Sequence, residues 1–185
     1  MKKIVIGISG ASGMPLAYHL LKELKKHDVE IHLVISNSSL MTIPYECEHS
    51  VEDFYNLANV VYDYSNIGAS IASGTFQVDG MIIIPCSMKT VAGLAHGYSD
   101  NLLLRAGDVM IKEKRKLILV TREAPLSPIH LDNLSYLSKL SNIYIIPPVL
   151  SYYNHPQTIE DMETHLIGKI LSPFDIHVEN FKTWQ

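Results

Sequence analysis

The residues best placed to do chemistry begin with Gly7, Gly10 and Gly13, spaced GxxGxxG between an apolar run and a helical pattern. Glycines there let the backbone turn tightly and aim N–H groups at an anion on a helix N-terminus. With Ala11 and Ser12 they offer a phosphate cradle, and the plainer alternative is a tight turn with Ser12 as the helix cap. The spacing is not the GxGxxG of a dinucleotide site, which also wants an acidic residue ~20 residues on to hold a ribose. Ser36 and Asn37 stand at that place instead, so the pattern favours a mononucleotide phosphate or ribityl chain over NAD.

The stretch Ser87-Met88-Lys89-Thr90 repeats this logic after the run IIIPC, with hydroxyls at a helix start and a cation beside them. Its local alternative is a Ser87/Thr90 capping pair with Lys89 in solvent. Arg122 and Glu123 follow a third apolar run. An arginine there can hold a phosphate bidentately, and a carboxylate beside an apolar ligand is a candidate for exchanging protons. Adjacent charges of this kind also occur as ordinary surface pairs. Lys112, Lys114, Arg115 and Lys116 form a basic cluster at a helix end, expected to be mostly solvated and favourable to the helix dipole. Tyr152, Tyr153 and Trp184 could wall an apolar substrate or fill a core. Cys86 reads as a small buried hydrophobe, and none of the nine histidines carries a spacing that assigns it a role.

The elements that must position these groups alternate along the chain. Strands are predicted over Lys3 to Ser9, Val29 to Ser36, Asp79 to Pro85, Lys116 to Thr121 and Asn142 to Pro147. Helical patterns follow the glycines, with Leu16, Leu20, Leu21 and Leu24 inward, and recur at about 88–97, 100–114, 128–140 and 158–171. The stretch 40–78 is less regular, with a short helix near Val51 to Ala58 and a weak strand near Val60. This is the signature of one α/β domain over 1–185, a doubly wound (Rossmann/flavodoxin-like) parallel sheet with helices on both faces. Ligands of such sheets bind outside the carboxyl ends of the strands, so the glycine turn, Ser36, Ser87 to Thr90 and Arg122-Glu123 belong on one rim.

Composition narrows the class. Lys+Arg 15 against Asp+Glu 19 gives a net charge of −4 without a run of either sign, which argues against a general nucleic-acid binder. Two cysteines without CxxC spacing predict neither a disulfide framework nor a zinc site, and suggest a reducing, cytoplasmic setting. The opening MKKIVIGISG is interrupted by glycine too early for a signal peptide, and no run reaches the ~18 apolar residues of a membrane helix. A hydrophobic content of 47% therefore needs another home, either a sheet covered on both faces or a surface buried against further copies of the chain.

Three blocks, GISGASG, IIPCSMKTVAGLAHGYSDNLLLRAGDVMIKEKRKLILVTREAPL and PPVLSYYNHPQTIEDM, together resemble the UbiX family of flavin prenyltransferases, which includes the B subunits associated with hydroxyarylic acid decarboxylases. The resemblance runs over nearly the whole chain. It implies a metal-independent alkyl transfer in which the dimethylallyl group of dimethylallyl phosphate joins reduced FMN at N5 and then C6, closing a fourth ring. The product, prenylated FMN, would serve a UbiD-type decarboxylase. On matching positions, FMN would be held by Gly10, Ala11, Ser12, Ser36, Ser87, Met88, Lys89, Thr90 and Arg122. The prenyl phosphate would meet Tyr153 and Lys169, with Arg105 and Lys112 as further cations, some of them donated by a neighbouring subunit. Glu123 would transfer the proton, with Ser12 and Glu46 in support, and Trp184 would face the allylic cation with its π surface. Lys169 stands where many relatives carry Arg, which keeps the charge and loses the bidentate fork. The family also implies a homododecamer, with the chain from about 173 packing on a neighbouring subunit.

Two other functions fit the same fold. A flavin-dependent cysteine decarboxylase would carry a PASANT-like motif and an active-site histidine, where this chain has PCSMKT. A non-catalytic FMN-binding subunit of a decarboxylase system would have no use for Glu123, Arg122, Lys112 and Tyr153 together.

Overall fold

The apolar runs become parallel strands, and the central ones are buried on both faces. In the computed structural model, which describes residues 1–181, the strands are β1 (Lys2–Ile8), β2 (Val29–Ile35), β3 (Val60–Tyr62), β4 (Gly80–Cys86), β5 (Lys116–Thr121) and β6 (Ile143–Ile145). They form one sheet in the order β3-β2-β1-β4-β5-β6, every pair parallel. The chain winds outward from β1 in one direction and from β4 in the other, which opens a crevice at their carboxyl ends.

The helices are α1 (Met14–Leu24), α2 (Asn37–Glu46), α3 (Val51–Asn56), α4 (Met88–Ala95), α5 (Leu102–Lys112), α6 (Pro128–Ser138) and α7 (Ile159–Leu171). Alternation along β1 decides which face each covers. Ile4, Ile6 and Ile8 point to a core shared with Leu20 of α1, Ile43 of α2, Phe54 of α3 and Ile170 of α7. Val5 points the other way, to a core shared with Val91 of α4, Leu103 of α5 and Leu137 of α6. The close seat of α5 explains Gly7, where a Cβ would stand 2.9 Å from Met81 Cε and 3.2 Å from Leu103 Cγ. Among the described residues no helix is long and apolar enough to cross a membrane.

One expectation needs correction. The irregular stretch after Ser36 holds a full helix, α2, capped by the Ser36 side chain. Only Ser39 and Ile43 of it are buried and Pro44 lies inside it, so no apolar stripe announces it. In the stretch from about 173, Phe174, Ile176 and Val178 are buried in their own chain's core beside α7. Three apolar side chains at every second position, following a short 3-10 turn at Ser172–Phe174, have an apolar groove to fill within the same subunit.

Candidate functional site

The rim is built around Ser9. Its hydroxyl donates to the Pro85 carbonyl at 3.0 Å and accepts from the Ser87 N–H at 2.8 Å, locking the end of β1 to the turn after β4. Ser87 in turn caps α4, accepting from Thr90 N–H at 3.3 Å with the Thr90 hydroxyl 3.1 Å away. Lys89 is exposed, while the Met88 side chain is buried in the core and leaves only its backbone at the rim.

The turn after β1 is pressed against the start of α2. A Cβ on Gly10 would lie 2.3 Å from Ser38 Oγ, so only glycine allows this approach. Ser36 Oγ caps α2 and sits 3.0 Å from the Ser38 hydroxyl and 2.8 Å from that of Ser39, which donates to the Ile8 carbonyl. Short hydroxyls and a Cβ-less backbone therefore face one crevice from β1, β2 and β4. This donor set fits the phosphate and polyhydroxyl chain of a mononucleotide.

The N-terminus of α1 differs from what the glycines suggested. Ser12 is not its cap. The Gly13 and Met14 N–H groups both donate to Glu46 Oε2, at 2.8 and 3.0 Å, so the anion at this helix end is a carboxylate delivered by the last residue of α2. Partial burial pushes the Glu46 carboxyl up, but the two backbone bonds, a bond from Ser12 and the Arg122 charge together hold it below the ordinary carboxylate range. Any ligand anion must use the remaining groups of the turn, Gly10 to Ser12. Sequence reading could not pair residues 13 and 46, because α2 itself was hidden.

Arg122 and Glu123 leave β5 on the same rim. Arg122 N–H donates to the Cys86 carbonyl at 3.2 Å, and Glu123 Oε1 accepts from Ala124 N–H at 3.0 Å. Both side chains are exposed, and among the described residues they form no ion pair with each other. Beside them opens an apolar cavity of about 400 Å³, walled by Ser12, Pro85, Val120, Val149, Met162 and Leu166. Cys86 is fully buried below the rim, and burial pushes its thiol far up, out of the range of a nucleophile.

Of the other expected site residues, Lys112 is not brought to this rim within one chain. Lys112 lies before the start of β5 and Glu123 after its end, so the length of the strand, roughly 20 Å, separates them. Lys112 pairs with Glu113 at 3.0 Å. Arg105 pairs with Asp108 at 2.6 Å and donates from Nε to the Ala72 carbonyl at 3.2 Å. Arg115, expected in solvent, is instead engaged with the Phe76 and Gly74 carbonyls at 2.8 and 2.6 Å and pins the segment before β4. Tyr153 meets the Nε2 of His165 at 3.0 Å, Lys169 is exposed in the last turn of α7, and Tyr152 is exposed rather than core. Trp184 lies outside the described residues. His165, buried in the middle of α7, is a residue that sequence reading passed over.

Comparison with known proteins agrees with this geometry. A model of the family described as Flavoprotein matches residues 1–175. A probable UbiX-like flavin prenyltransferase of Sedimentibacter hydroxybenzoicus is 51% identical over 184 residues, 99% of this chain and 97% of that one. Two solved structures superpose with a TM-score of 0.96 each. A dodecameric FMN-dependent UbiX-like decarboxylase from Escherichia coli O157:H7 is 43% identical, with 99% of both chains covered. AnUbiX (PadA1), in complex with FMN and dimethylallyl pyrophosphate, is 39% identical, with 100% of this chain and 97% of that one covered.

Proposed function

Because the chain belongs to the flavoprotein family and, within it, to the UbiX-like flavin prenyltransferases, we propose that its rim binds reduced FMN and transfers to it the dimethylallyl group of dimethylallyl phosphate. The observation that carries this reading is the crevice at the β1/β4 switch point, where Gly10 is pressed on Ser38 and Ser9 locks Ser87 in place. Gly10, Ala11, Ser12, Ser36 and the turn from Ser87 through Met88 and Lys89 to Thr90 hold the flavin's phosphate and ribityl chain, and Arg122 adds the charge. When bound, reduced FMN would supply an electron-rich ring to receive the two ends of the allylic unit, one at N5 and the other at C6.

The chain's own residues do the rest. Ionising an allylic phosphate leaves an anion and a cation, so fixed positive charge must meet the leaving group and an apolar wall must meet the carbon. Glu123, at the open end of β5, moves the proton. Glu46 and Ser12 support it by fixing the turn after β1. Arg105, Lys112, Lys169 and Tyr153 grip the phosphate. Since Lys112 lies a strand length from its own chain's Glu123, it serves the rim of a neighbouring copy together with Arg105 of the same helix, a reading supported by the dodecameric Escherichia coli relative. The chain works as one domain in the cytoplasm, in keeping with two free thiols, and passes prenylated FMN to a UbiD-type decarboxylase.

The test is anaerobic incubation of the protein with reduced FMN and dimethylallyl phosphate, followed by the mass of the bound flavin. A gain of one dimethylallyl group is expected. Bound FMN of unchanged mass would sink the transferase and leave a carrier of flavin.

A further inference from the structure

His165 is buried on α7, with 6% of its surface exposed, between the Tyr153 ring, edge-on at 5.3 Å, and the Phe181 ring at 5.2 Å. Its Nε2 lies 3.0 Å from the Tyr153 hydroxyl, while its buried Nδ1 has no hydrogen-bond partner among the described residues. A neutral imidazole carries one N–H. A proton on Nδ1 would orphan a buried donor, whereas a proton on Nε2 leaves only a lone pair unsatisfied, the cheaper arrangement. Burial, and then the Lys169 charge one turn away, push the ring's pKa below its ordinary value, which disfavours the doubly protonated form. The ring is therefore neutral with its proton on Nε2, and the tyrosyl oxygen is an acceptor. Tyr153 is 40% exposed, and Lys169 follows His165 by four residues on the same side of α7, so a hydroxyl donor and a cation stand together at a surface.

We infer that His165 is a positioning residue for the prenyl phosphate: by donating Nε2–H to Tyr153 it turns the tyrosyl proton away from the core, to be donated to a phosphate oxygen. No group is transferred and both residues stay neutral. The inference rests on the assignment of Tyr153 to the phosphate made above.

Two measurements separate it from a packing role and from failure of that assignment. The first is the Kd of dimethylallyl phosphate on protein loaded with oxidised FMN, where no transfer occurs. The second is KM and kcat with reduced FMN. Tyr153→Phe and His165→Leu should each raise Kd and KM by about ten- to a hundredfold with FMN affinity unchanged, and the double variant should be no worse than either. His165→Gln, whose amide N–H takes the place of Nε2–H, should stay within about threefold of the wild type, while His165→Asn, whose amide reaches only the Nδ1 position, should not. Equal Kd values for the Gln and Asn variants, or effects of Tyr153→Phe and His165→Leu that multiply, would overturn the inference. If Tyr153→Phe binds dimethylallyl phosphate as the wild type does, the phosphate assignment fails and the inference falls with it. If binding follows the expected pattern but no wild-type flavin gains mass, the transferase reading alone fails.

Discussion

The β1/β4 rim and the α5/α7 flanks hold the same kinds of residue in different ways. On the rim, donors and acceptors from β1, β2 and β4 are bonded to one another before any ligand arrives, through Ser9, Ser36, Ser87 and Glu46. On the flanks, the cations proposed for the phosphate are engaged with local partners, Lys112 with Glu113 in an exposed pair of the kind that exchanges readily and Arg105 with Asp108 in a half-buried one. The groups proposed for the flavin are tied together within one chain, whereas Lys112, proposed for the phosphate, stands a strand length from Glu123, so on this proposal the first site is folded and the second is assembled.

The largest effect should come from the rim. Glu123→Gln keeps the local acceptor for Ala124 N–H, so FMN should bind normally while the rate of transfer falls by about 10²–10⁴-fold. Single-turnover rates with reduced FMN would check this, and a wild-type rate would remove Glu123 from the chemistry.

The flanks should respond more weakly and in a way the rim cannot. Lys112→Ala should raise KM for dimethylallyl phosphate about tenfold or more without touching FMN affinity. If Lys112 serves a neighbour, mixing Lys112→Ala subunits with Glu123→Gln subunits should restore roughly a quarter of the sites, those that draw an intact residue from each parent. Activity of the mixture no higher than the mean of the two parents would put Lys112 in its own chain's site or in none.

The same contrast decides what could be read from the sequence. Strands and long helices were legible because their burial is periodic: Ile4, Ile6 and Ile8 face one core and Val5 the other. The rim was legible because short turns follow strands whose ends one rule brings together. Glu46 was not, since its partners lie more than thirty residues away and α2, with only Ser39 and Ile43 buried around Pro44, leaves no pattern to find. His165 looked like one histidine among nine, and only packing revealed its pairing with Tyr153. Resemblance supplied Arg105, Lys112 and Lys169, and the topology of one chain does not bring Lys112 to the rim.

Glu46→Ala tests the folded half directly. It strips two N–H groups of α1 of their acceptor, which should cost about 1–2 kcal/mol and lower Tm by about 2–8 °C. Because the folded carboxyl titrates below its unfolded value, this stabilisation is complete above the ordinary carboxylate range and is lost as pH falls through the lowered value. The gap in Tm between wild type and variant should therefore close in acid. A gap that is constant down to strongly acidic pH would mean that the charge of Glu46 contributes nothing.

The smallest effect probes where the two regions are tied. His19 on α1 pairs with Glu163 on α7, and Glu163 also lines the apolar cavity with Ser12, so this contact links a helix anchored at the rim to the helix that carries Tyr153's partner. The Glu163 carboxylate raises the His19 pKa above its ordinary value, against the lowering effect of burial. The stabilisation is then full below pH 6.5, the ordinary value, and disappears as pH rises through the raised one. A partly exposed pair of this kind is worth about 0.2–1 kcal/mol. His19→Gln should melt slightly below the wild type at about pH 6, and the gap should close as pH rises through the raised value, above which His19 is neutral in both folded and unfolded chains. If α7 depends on this tie for its seat, dimethylallyl phosphate affinity should weaken with alkali in the wild type but not in His19→Gln, while FMN affinity holds in both. FMN affinity falling in step would show that rim and flank move as one body, and the division between a folded and an assembled site would not stand.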